Sequence, residues 1–585
     1  MTTGVANHIE SPEPPPEGDP CASRLPSTAL KRNDLWLALA LTSLVLIAGY
    51  SRMVVGVCGI YHDDAVYVST AKALAEGDGY GLINVPGSPV QTRFPILYPA
   101  LLSVVWSIWP AFPENLGAMQ GLSLLAAAAT VAAAYLYLVR FGYFSRRIAF
   151  ASGLLCATSA SFLYFSTQTL SEMPFALLLL GAIWAMDRDV RTPSSTWKRQ
   201  VFLGALLGLP FLCRSIGVAL IPVGVLVLYR AGRPLRWIMA GAAAVTLPWL
   251  VWTWSGGNHD PLAGYHSDYL GWWSAFGALF LQDVVAANTA LLAISTTTLG
   301  LEGLTDALFS LDSKIVPSIV ALSLGLVPWL AILLRIRLWR VLPCLLAVYL
   351  AIVLVWPWPP LRFLVPILPF IVPFMLQGAS VFLKRCFAPR RRMALGTMAI
   401  VVAVSANVSL LCRHRDLSRR TGYAYADLKD TRVSWSSFEG VFDWLRDHAR
   451  AEDVVASALD PMIYLYTGLQ GFRPFNGRPA ALFYRKDVPA VGTLEEFVEC
   501  LGTRRPRFLV QFPIPGFSEE KHFAELLGSL RTKYPSWLQP VYQGADERFV
   551  IYEVRPEMAP PVRSAESLSR IRLKRIAKAE PDADA

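Results

Sequence analysis

Two adjacent carboxylates lie close behind the first long apolar run of the chain, in the sequence His62-Asp63-Asp64. Carboxylates can act as general bases, because burial and neighbouring charges change their pKa values. Acids at a membrane surface are costly to retain, so this pair indicates chemistry on a molecule that lives in the membrane. We therefore predict that Asp63 and Asp64 belong to a catalytic site.

The same two residues also fit a purely structural role. Residues 64–76 carry apolar side chains at the i, i+4, i+7 and i+8 spacing of a helix face, and Gly77 suits its C-cap. Asp63 would then be the N-cap, and Asp64 would interact favourably with the helix dipole. Neighbouring helical residues point about 100° apart, so the two carboxylates cannot both face one site. Both roles stay open from these residues alone.

A third acid and three arginines lie in polar gaps between apolar runs: Glu172, Arg93, Arg214 and Arg362. Arginine binds phosphate through paired N–H donors, so the arginines are candidates for an anionic ligand. For Glu172 the alternative is a charge at a helix N-terminus, since Pro174 follows where prolines favour the first turn. For each arginine the alternative is a side chain that extends to the lipid headgroups.

The composition indicates that membrane-spanning helices position these residues. Of the 585 residues, 54% are hydrophobic and only 16% are charged, and the mean hydropathy is +0.41. Several apolar runs reach about 20 residues, which is enough to cross a hydrocarbon core of about 30 Å as a helix. We predict an α-helical polytopic membrane protein with about eleven spans.

The arginines occur as short clusters between apolar runs, although the net charge of +10 would also suit nucleic-acid binding. Such clusters are typical of cytoplasmic loops, so we predict no nucleic-acid partner. The same rule predicts a plasma-membrane protein with a cytoplasmic N-terminus, and it puts Arg93, Arg214 and Arg362 on the outer face, where cations are depleted. Residues 201–229 have cations on both sides, so we predict two short helices that meet near Arg214.

Charge rises and apolar runs shorten from residue 413, which indicates a small α/β domain outside the membrane. We predict four regions: a disordered cytoplasmic tail (1–34), a membrane domain (35–412) with outer loops at 56–116 and 255–314, the extracytoplasmic domain (413–556) and a charged tail (557–585). In the extracytoplasmic domain we predict helices at 438–449 and 519–533, and strands at 453–459, 508–512 and 548–554.

The eight cysteines show no CxxC or His-paired spacing, so we predict neither a disulfide framework nor a structural zinc site. His62 beside two acids is an incomplete ligand set, and we expect no metal and no other cofactor. Five residues of the second outer loop would either bind a carbohydrate or form an interfacial aromatic belt: His259, His266, Asp268, Trp272 and Trp273.

Over residues 35–410 these features resemble the GT-C superfamily of integral membrane glycosyltransferases, in particular protein O-mannosyltransferases, lipid A aminoarabinose transferases and related bacterial enzymes. The segments that carry the resemblance are, in chain order, Asp63-Asp64 with Tyr67, Arg93-Phe94-Pro95-Ile96-Leu97-Tyr98-Pro99, Leu170-Ser171-Glu172-Met173-Pro174, Gly208-Leu209-Pro210-Phe211-Leu212-Cys213-Arg214 and Arg362-Phe363-Leu364-Val365-Pro366-Ile367-Leu368-Pro369. In that superfamily the first outer loop carries an Asp followed by a second acid, usually Glu, and the first acid is implicated in catalysis.

The resemblance implies a GT-C fold and transfer of a sugar, with inversion, from a polyprenyl-phosphate donor to a hydroxyl group. The acceptor would be a glycolipid, a protein or a cell-envelope glycan outside the cytoplasm. Asp63 would take the acceptor proton, and burial would raise its pKa and make it a better base. Asp64 and Glu172 would be supporting acids.

The leaving lipid phosphate needs positive charge more than it needs a proton. The resemblance implies that Arg93, Arg214 and Arg362 supply this charge. The residues that would position the substrates are His62, Tyr67 and Tyr98.

Two other classes of protein fit part of the pattern. A lipid or sugar transporter also has many spans, but it would concentrate charges at the bilayer midplane, whereas these polar residues lie near the outer ends of the spans. A sensor or assembly protein would bind a ligand through its outer domain, yet about eleven spans are more than an anchor needs. An enzyme is therefore favoured, with the transporter as the main alternative.

Overall fold

The structure is a computed structural model that describes residues 28–193, 195–256, 277–309, 315–336, 340–423, 433–475, 493–513, 518–545 and 547–559. Most of the two predicted tails and the five carbohydrate candidates of the second loop lie outside these residues. Helices form the first part of the chain: α1 (Arg32–Arg52), α2 (Asp63–Glu76), α3 (Leu97–Ile108), α4 (Leu116–Arg140), α5 (Arg146–Thr158), α6 (Ala160–Ser166), α7 (Glu172–Val190), α8 (Trp197–Cys213), α9 (Leu220–Arg230), α10 (Leu235–Ser255), α11 (Gly277–Thr298), α12 (Glu302–Phe309), α13 (Ile315–Ile336), α14 (Val341–Val355), α15 (Leu361–Leu364), α16 (Leu368–Cys386) and α17 (Pro389–Thr421).

Five of the described helical segments are long and apolar enough to cross a membrane: α1, α4, α10, Leu361–Cys386 and α17. A sixth span results if α5 and α6, which meet at a bend of 65°, are counted together. Shorter apolar helices accompany them, at Leu97–Ile108, Ser215–Arg230, Gly325–Ile336 and Val341–Val355. The prediction of a helical, multi-pass membrane protein is confirmed, and the number of about eleven spans stays a prediction.

The described part of the predicted second loop is helical, because α11 and α12 occupy residues 277–309 and α11 packs along α13. Polar residues interrupt the apolar run of α11, and the position of residues 255–314 relative to the membrane stays a prediction. One of them, Asn288, is fully buried, and its amide donates to the carbonyl oxygens of Val353 at 3.2 Å and Trp356 at 2.8 Å. The fold thereby satisfies the hydrogen-bonding groups of a buried asparagine, a residue type that is usually exposed to water.

Arg214 lies at the junction of two helices, which confirms the prediction for residues 201–229. α8 ends just before it, and a 3₁₀ turn (Ser215–Ala219) leads into α9. Along its length α8 approaches α10 so closely that a Cβ at Gly204 would lie 1.9 Å from the carbonyl oxygen of Ile238. Glycine is required at such a backbone approach. This packing fixes the helix that carries Arg214.

A mixed five-stranded sheet forms the centre of the C-terminal unit, residues 433–559. The elements of this unit are α18 (Trp435–His448), β1 (Val455–Ser457), α19 (Asp460–Thr467), β2 (Gly471–Phe472), α20 (Leu494–Arg504), β3 (Phe508–Gln511), α21 (Ser518–Lys533), β4 (Leu538–Gln543) and β5 (Val550–Val554). The strand order is β2-β1-β3-β5-β4, with β1 parallel to β2 and β3, and β5 antiparallel to β3 and β4. The unit has its own apolar core, and α19 packs on α2.

The two helices and three strands predicted for this unit are confirmed, with ends shifted by a few residues. The sequence pattern missed α19, α20, β2 and β4. β2 has only two residues, and β4 is largely exposed, so neither gives a clear apolar pattern. α17 continues to Thr421, past the change of composition at residue 413.

Candidate active site

α2 begins at Asp63, and a strained turn precedes it. His62 has φ 63° and ψ −57°, and the Asp63 N–H donates to the carbonyl oxygen of Tyr61 at 2.7 Å. These values describe the rare form of the γ-turn, which is unfavourable for residues other than glycine. The N-cap is His62 and not Asp63, so the predicted capping role of Asp63 is wrong and its carboxylate has another partner.

Arg362 joins two of the three predicted acids. Its Nη1 donates to Asp63 Oδ2 at 2.8 Å, and its Nε donates to Glu172 Oε1 at 2.5 Å. The Asp63 side chain retains 22% of its exposure, whereas Glu172 is fully buried. The ring of Tyr61 lies against the guanidinium group of Arg362, 5.0 Å from its centroid. The two carboxylates and the arginine form what we call the acid–arginine bridge.

Glu172 also binds the second arginine of the site. Arg214 Nη1 lies 2.7 Å from Glu172 Oε1 and donates to Ser171 Oγ at 3.0 Å. Glu172 is the first residue of α7, where the helix dipole also favours a negative charge. A buried carboxylate needs such pairing. Glu172 therefore holds Arg214 and Arg362 side by side.

Asp64 faces away from the bridge, as its neighbouring position on the helix requires. It is 3% exposed, and its Oδ2 accepts the N–H of Gly59 at 2.7 Å. Burial raises the pKa of Asp64 to about 6, although the hydrogen bond from Gly59 opposes the rise. Asp64 thus fixes the backbone in front of α2.

The pKa of Asp63 is lowered from its ordinary value. Burial raises it, but the positive charges of Arg362 and Arg93 outweigh burial. The expected rise in the pKa of Asp63 is therefore wrong, because the arginine that neutralises it comes from a distant part of the chain. Asp63 is ionised in this arrangement, which leaves it able to accept a proton.

The two predicted tyrosines lie in a packed layer behind the bridge. The Tyr67 hydroxyl shares a hydrogen bond with Ser171 Oγ at 3.0 Å, and its ring packs edge-on against Tyr98 with centroids 5.0 Å apart. Tyr98 is fully buried, and its hydroxyl lies 3.2 Å from Ser123 Oγ. In this arrangement both tyrosines support the residues of the site from behind.

Arg93 and His62 flank Asp63. Arg93 is half-buried and close enough to Asp63 to lower its pKa. The Nε2 atom of His62 lies 3.8 Å from Oδ1 of Asp460, a residue of the C-terminal unit. All nine residues predicted for the site therefore lie in or next to one region, at the end of the helices where α2 and α7 begin.

Three residues of this region were not predicted: Tyr61, Ser171 and Asp460. Tyr61 and Ser171 adjoin predicted residues, so the same motifs could have indicated them. Asp460 belongs to a different unit, and no local pattern connects it with the acid pair. Within the described residues, no three His, Cys, Asp or Glu side chains are grouped so that they could hold a metal ion.

Comparison with known proteins finds one similar family and several similar folds. A family model described as dolichyl-phosphate-mannose-protein mannosyltransferase matches residues 95–252. ArnT from Cupriavidus metallidurans bound to undecaprenyl phosphate has the same fold, with a TM-score of 0.50 and 12% identity over 91% of this chain and 100% of that chain. The archaeal oligosaccharyltransferase AglB from Archaeoglobus fulgidus, in complex with an inhibitory peptide and a dolichol-phosphate, has a TM-score of 0.50 and 11% identity over 90% of this chain and 75% of that chain. Among curated protein sequences, none is detectably similar.

The chain has the fold of these membrane glycosyltransferases. The predicted fold class is thereby confirmed, whereas the enzyme class stays a prediction. The segment that the family model matches contains Glu172 and Arg214, whereas Asp63 and Arg362 lie outside it. The bridge thus connects the matched segment to residues on both sides of it.

The raised pKa of Asp64 predicts that the stability of the protein falls as the pH rises from about 4 to about 6. Its pKa is about 6 in the folded protein and 3.8 when unperturbed. Between these values the folded state retains a proton that the unfolded chain has released, so the free energy of unfolding decreases with pH, by about 3 kcal/mol in total.

Asp64→Asn should remove this contribution, because a neutral amide oxygen can still accept the Gly59 N–H at any pH. Thermal unfolding of both proteins from pH 4 to pH 8 measures it: the variant should gain stability relative to wild type as the pH rises. Parallel curves for the two proteins would show that Asp64 does not carry the effect.

Proposed function

We propose that the chain transfers a sugar from a polyprenyl-phosphate-linked donor to a hydroxyl group of an extracytoplasmic acceptor, with inversion and with Asp63 as the general base. The observation that carries this proposal is the acid–arginine bridge, in which one ionised and partly exposed carboxylate lies beside two arginines held by a buried acid. Such a site has a proton acceptor in direct contact with one of two neighbouring arginines that can bind an anion.

The donor phosphate would bind at Arg362 and Arg214, with Arg93 as a third positive charge beside Asp63. Arginine favours phosphate because its planar donors match two phosphate oxygens. Both structural relatives carry a lipid phosphate, undecaprenyl phosphate in ArnT and a dolichol-phosphate in AglB. These ligands support a polyprenyl-phosphate donor for the present chain.

Donor binding would also change Asp63. Arg362 donates to Asp63 and lowers its pKa, which makes Asp63 a weak base. A donor phosphate that draws Arg362 towards itself would weaken this bond, and the pKa of Asp63 would rise. Asp63 would therefore become a stronger base once the donor is bound, when a proton acceptor is needed for transfer.

In the reaction, the acceptor oxygen attacks the anomeric carbon on the face opposite the phosphate, while Asp63 takes the acceptor proton. The bond between the anomeric carbon and the phosphate oxygen breaks, and the lipid phosphate leaves with the electron pair. Arg362 and Arg214 stabilise the negative charge that develops on it. Attack from the opposite face accounts for inversion.

Glu172 has a positioning role in this mechanism. Its buried carboxylate is occupied by Arg214 and Arg362, so it orients the phosphate-binding pair and does not contact the sugar. Asp64 fixes the loop in front of α2, and Tyr67 and His62 support the loop and the arginines. Tyr98 packs against Tyr67 and so supports it.

The orientation of the spans supports an extracytoplasmic site. Arginine and lysine clusters flank the ends of the spans remote from α2, in a pattern typical of cytoplasmic loops. The acid–arginine bridge and the C-terminal unit would then lie on the outer face of the plasma membrane, where lipid-linked sugars are presented. The acceptor would be a glycolipid, a protein or a cell-envelope glycan.

Purified protein in liposomes tests the proposal when it is given radiolabelled sugars, linked either to polyprenyl phosphate or to a nucleotide. We expect sugar transfer from the lipid-linked donors only, and NMR of the product should show the inverted anomeric configuration. Transfer from nucleotide sugars would contradict the donor class. Movement of the lipid across the bilayer without a new glycosidic bond would favour a transporter.

A further inference from the structure

The C-terminal unit holds the short backbone segment in front of α2. The Tyr466 hydroxyl donates to the carbonyl oxygen of Gly56 at 2.7 Å and accepts the N–H of Cys58 at 3.0 Å. Gly59 has φ +105°, and a Cβ on it would lie 2.4 Å from Cβ of Met462. Residues 56–59 therefore pack closely against α19.

Asp460, the first residue of α19, lies close to two residues of the membrane domain, His62 and Asn84. Its carboxylate is fully buried; Oδ2 accepts from Nδ2 of Asn84 at 2.9 Å, and Oδ1 lies 3.8 Å from Nε2 of His62. The backbone of Asn84 is held as well, because its carbonyl oxygen accepts the N–H of Gly471 at 2.8 Å. A buried carboxylate is stable only with such polar neighbours, so Asp460 ties residues 62 and 84 to the C-terminal unit.

The turn at His62 is a conformation that surrounding contacts must maintain. A non-glycine residue with positive φ is strained, and it persists where several contacts fix it. Part of this support is internal: the His62 N–H donates to the Gly59 carbonyl oxygen at 3.0 Å, and the Gly59 N–H donates to Asp64. Asp460 adds a contact from the C-terminal unit, with Oδ1 3.8 Å from His62 Nε2. Because Asp63 follows His62 directly, the turn sets the direction in which the Asp63 carboxylate points.

We propose that Asp460 is a positioning residue of the transferase: by holding the His62 side chain, it keeps the strained turn that presents Asp63 to Arg362. This inference rests on the proposed function of Asp63. It gives the C-terminal unit a part in the reaction, since the unit completes the site without contacting the sugar.

Asp460→Asn tests the inference in the full-length protein. An asparagine oxygen can still accept from Asn84, whereas the negative charge beside His62 is lost. We expect kcat to fall by about 10- to 100-fold, because small displacements of a catalytic group have effects of this size. KM for the donor should change little, since the arginines are untouched. Wild-type kcat would overturn the proposal.

His62 variants separate positioning from general stabilisation of the fold. His62→Ala should lower kcat as much as Asp460→Asn, and the double variant should be no worse than either single one, because both act through the same contact. His62→Gly should retain more activity than His62→Ala, since glycine adopts positive φ without strain. Multiplicative losses in the double variant, or equal losses for glycine and alanine, would overturn the proposal.

Asp453→Asn is the matched control in the C-terminal unit. Asp453 pairs with Arg507 at 2.5 Å, within the unit and away from the loop in front of α2. We expect it to alter thermal stability but leave kcat and KM unchanged. A fall in kcat that tracks the loss of thermal stability in Asp453→Asn and Asp460→Asn alike would assign Asp460 to stability alone and overturn the proposal.

The outcome is distinguishable from that of the proposed base. If Asp63→Asn retains transfer while Asp460 and His62 are coupled, the base is assigned wrongly but the loop is still positioned by the C-terminal unit. If Asp63→Asn abolishes transfer while Asp460 and His62 act independently, Asp63 keeps its role and the positioning inference fails.

Discussion

Asp63→Asn should lower the rate of sugar transfer by about 10²- to 10⁴-fold, the usual contribution of a general base. The amide has nearly the same shape, and its oxygen can still accept from Arg362 Nη1, so the bridge is retained without the proton acceptor. KM for the donor should therefore change much less than kcat. Initial rates with a polyprenyl-phosphate sugar, measured at saturating acceptor, give both constants.

Asp78→Asn is the control for this experiment, because Asp78 is an exposed acid in the same loop, just past the end of α2. It should have wild-type kinetics. Asp64→Asn should have a smaller effect than Asp63→Asn, since its carboxylate bonds to the Gly59 N–H. Unchanged turnover in folded Asp63→Asn, or a larger loss in Asp64→Asn, would remove Asp63 from the role of base.

Arg362→Ala should raise KM for the donor by about 10- to 100-fold and change KM for the acceptor much less. Charge-assisted bonds to phosphate are among the strongest polar contacts, and removal of one transition-state donor costs about 10²–10³ in kcat. The pH profile gives a second result. Arg362 lowers the pKa of Asp63, so without it the acidic limb of the kcat/KM profile, which reports the free enzyme, should move to higher pH.

Arg362→Lys keeps the charge but loses the planar pair of donors that reaches both acids, so it should be intermediate in KM and in the pH shift. Arg362→Lys is also less liable to misfold than Arg362→Ala, because Arg362→Ala leaves Asp63 without its ion-pair partner. Arg385→Ala, an exposed cation at the far end of α16, should have no effect on either quantity. Equal losses for donor and acceptor would contradict a donor-phosphate site at Arg362.

Local pattern was enough for much of the architecture. The apolar runs indicate the spans, and the cations on both sides of residues 201–229 indicate the break at Arg214. Helical geometry by itself also separates Asp63 from Asp64, since neighbours on a helix point about 100° apart. These inferences succeed because each depends on residues within one or two turns of one another.

Local sequence pattern was not sufficient where the interacting residues are far apart in the chain. The buried Asn288 of α11 has its acceptors at the end of α14, which no local pattern indicates. The pKa of Asp63 was expected to rise, whereas the guanidinium of Arg362 lowers it from 299 positions away. Asp460 was missed because nothing near it in sequence relates it to His62.

The sequence by itself determined the class of the protein and the residue types of its site: many apolar spans, an acid pair, a third acid and three arginines in polar gaps. Hydrophobic periodicity and charge placement are local properties, so they survive without knowledge of the fold. Only the tertiary structure decided that Arg362 bridges Asp63 and Glu172, that Asp64 faces the backbone, and that Asp460 of the C-terminal unit lies beside His62. Electrostatic and hydrogen-bond energies depend on distances of a few ångströms, and folding alone sets these between residues far apart in the chain.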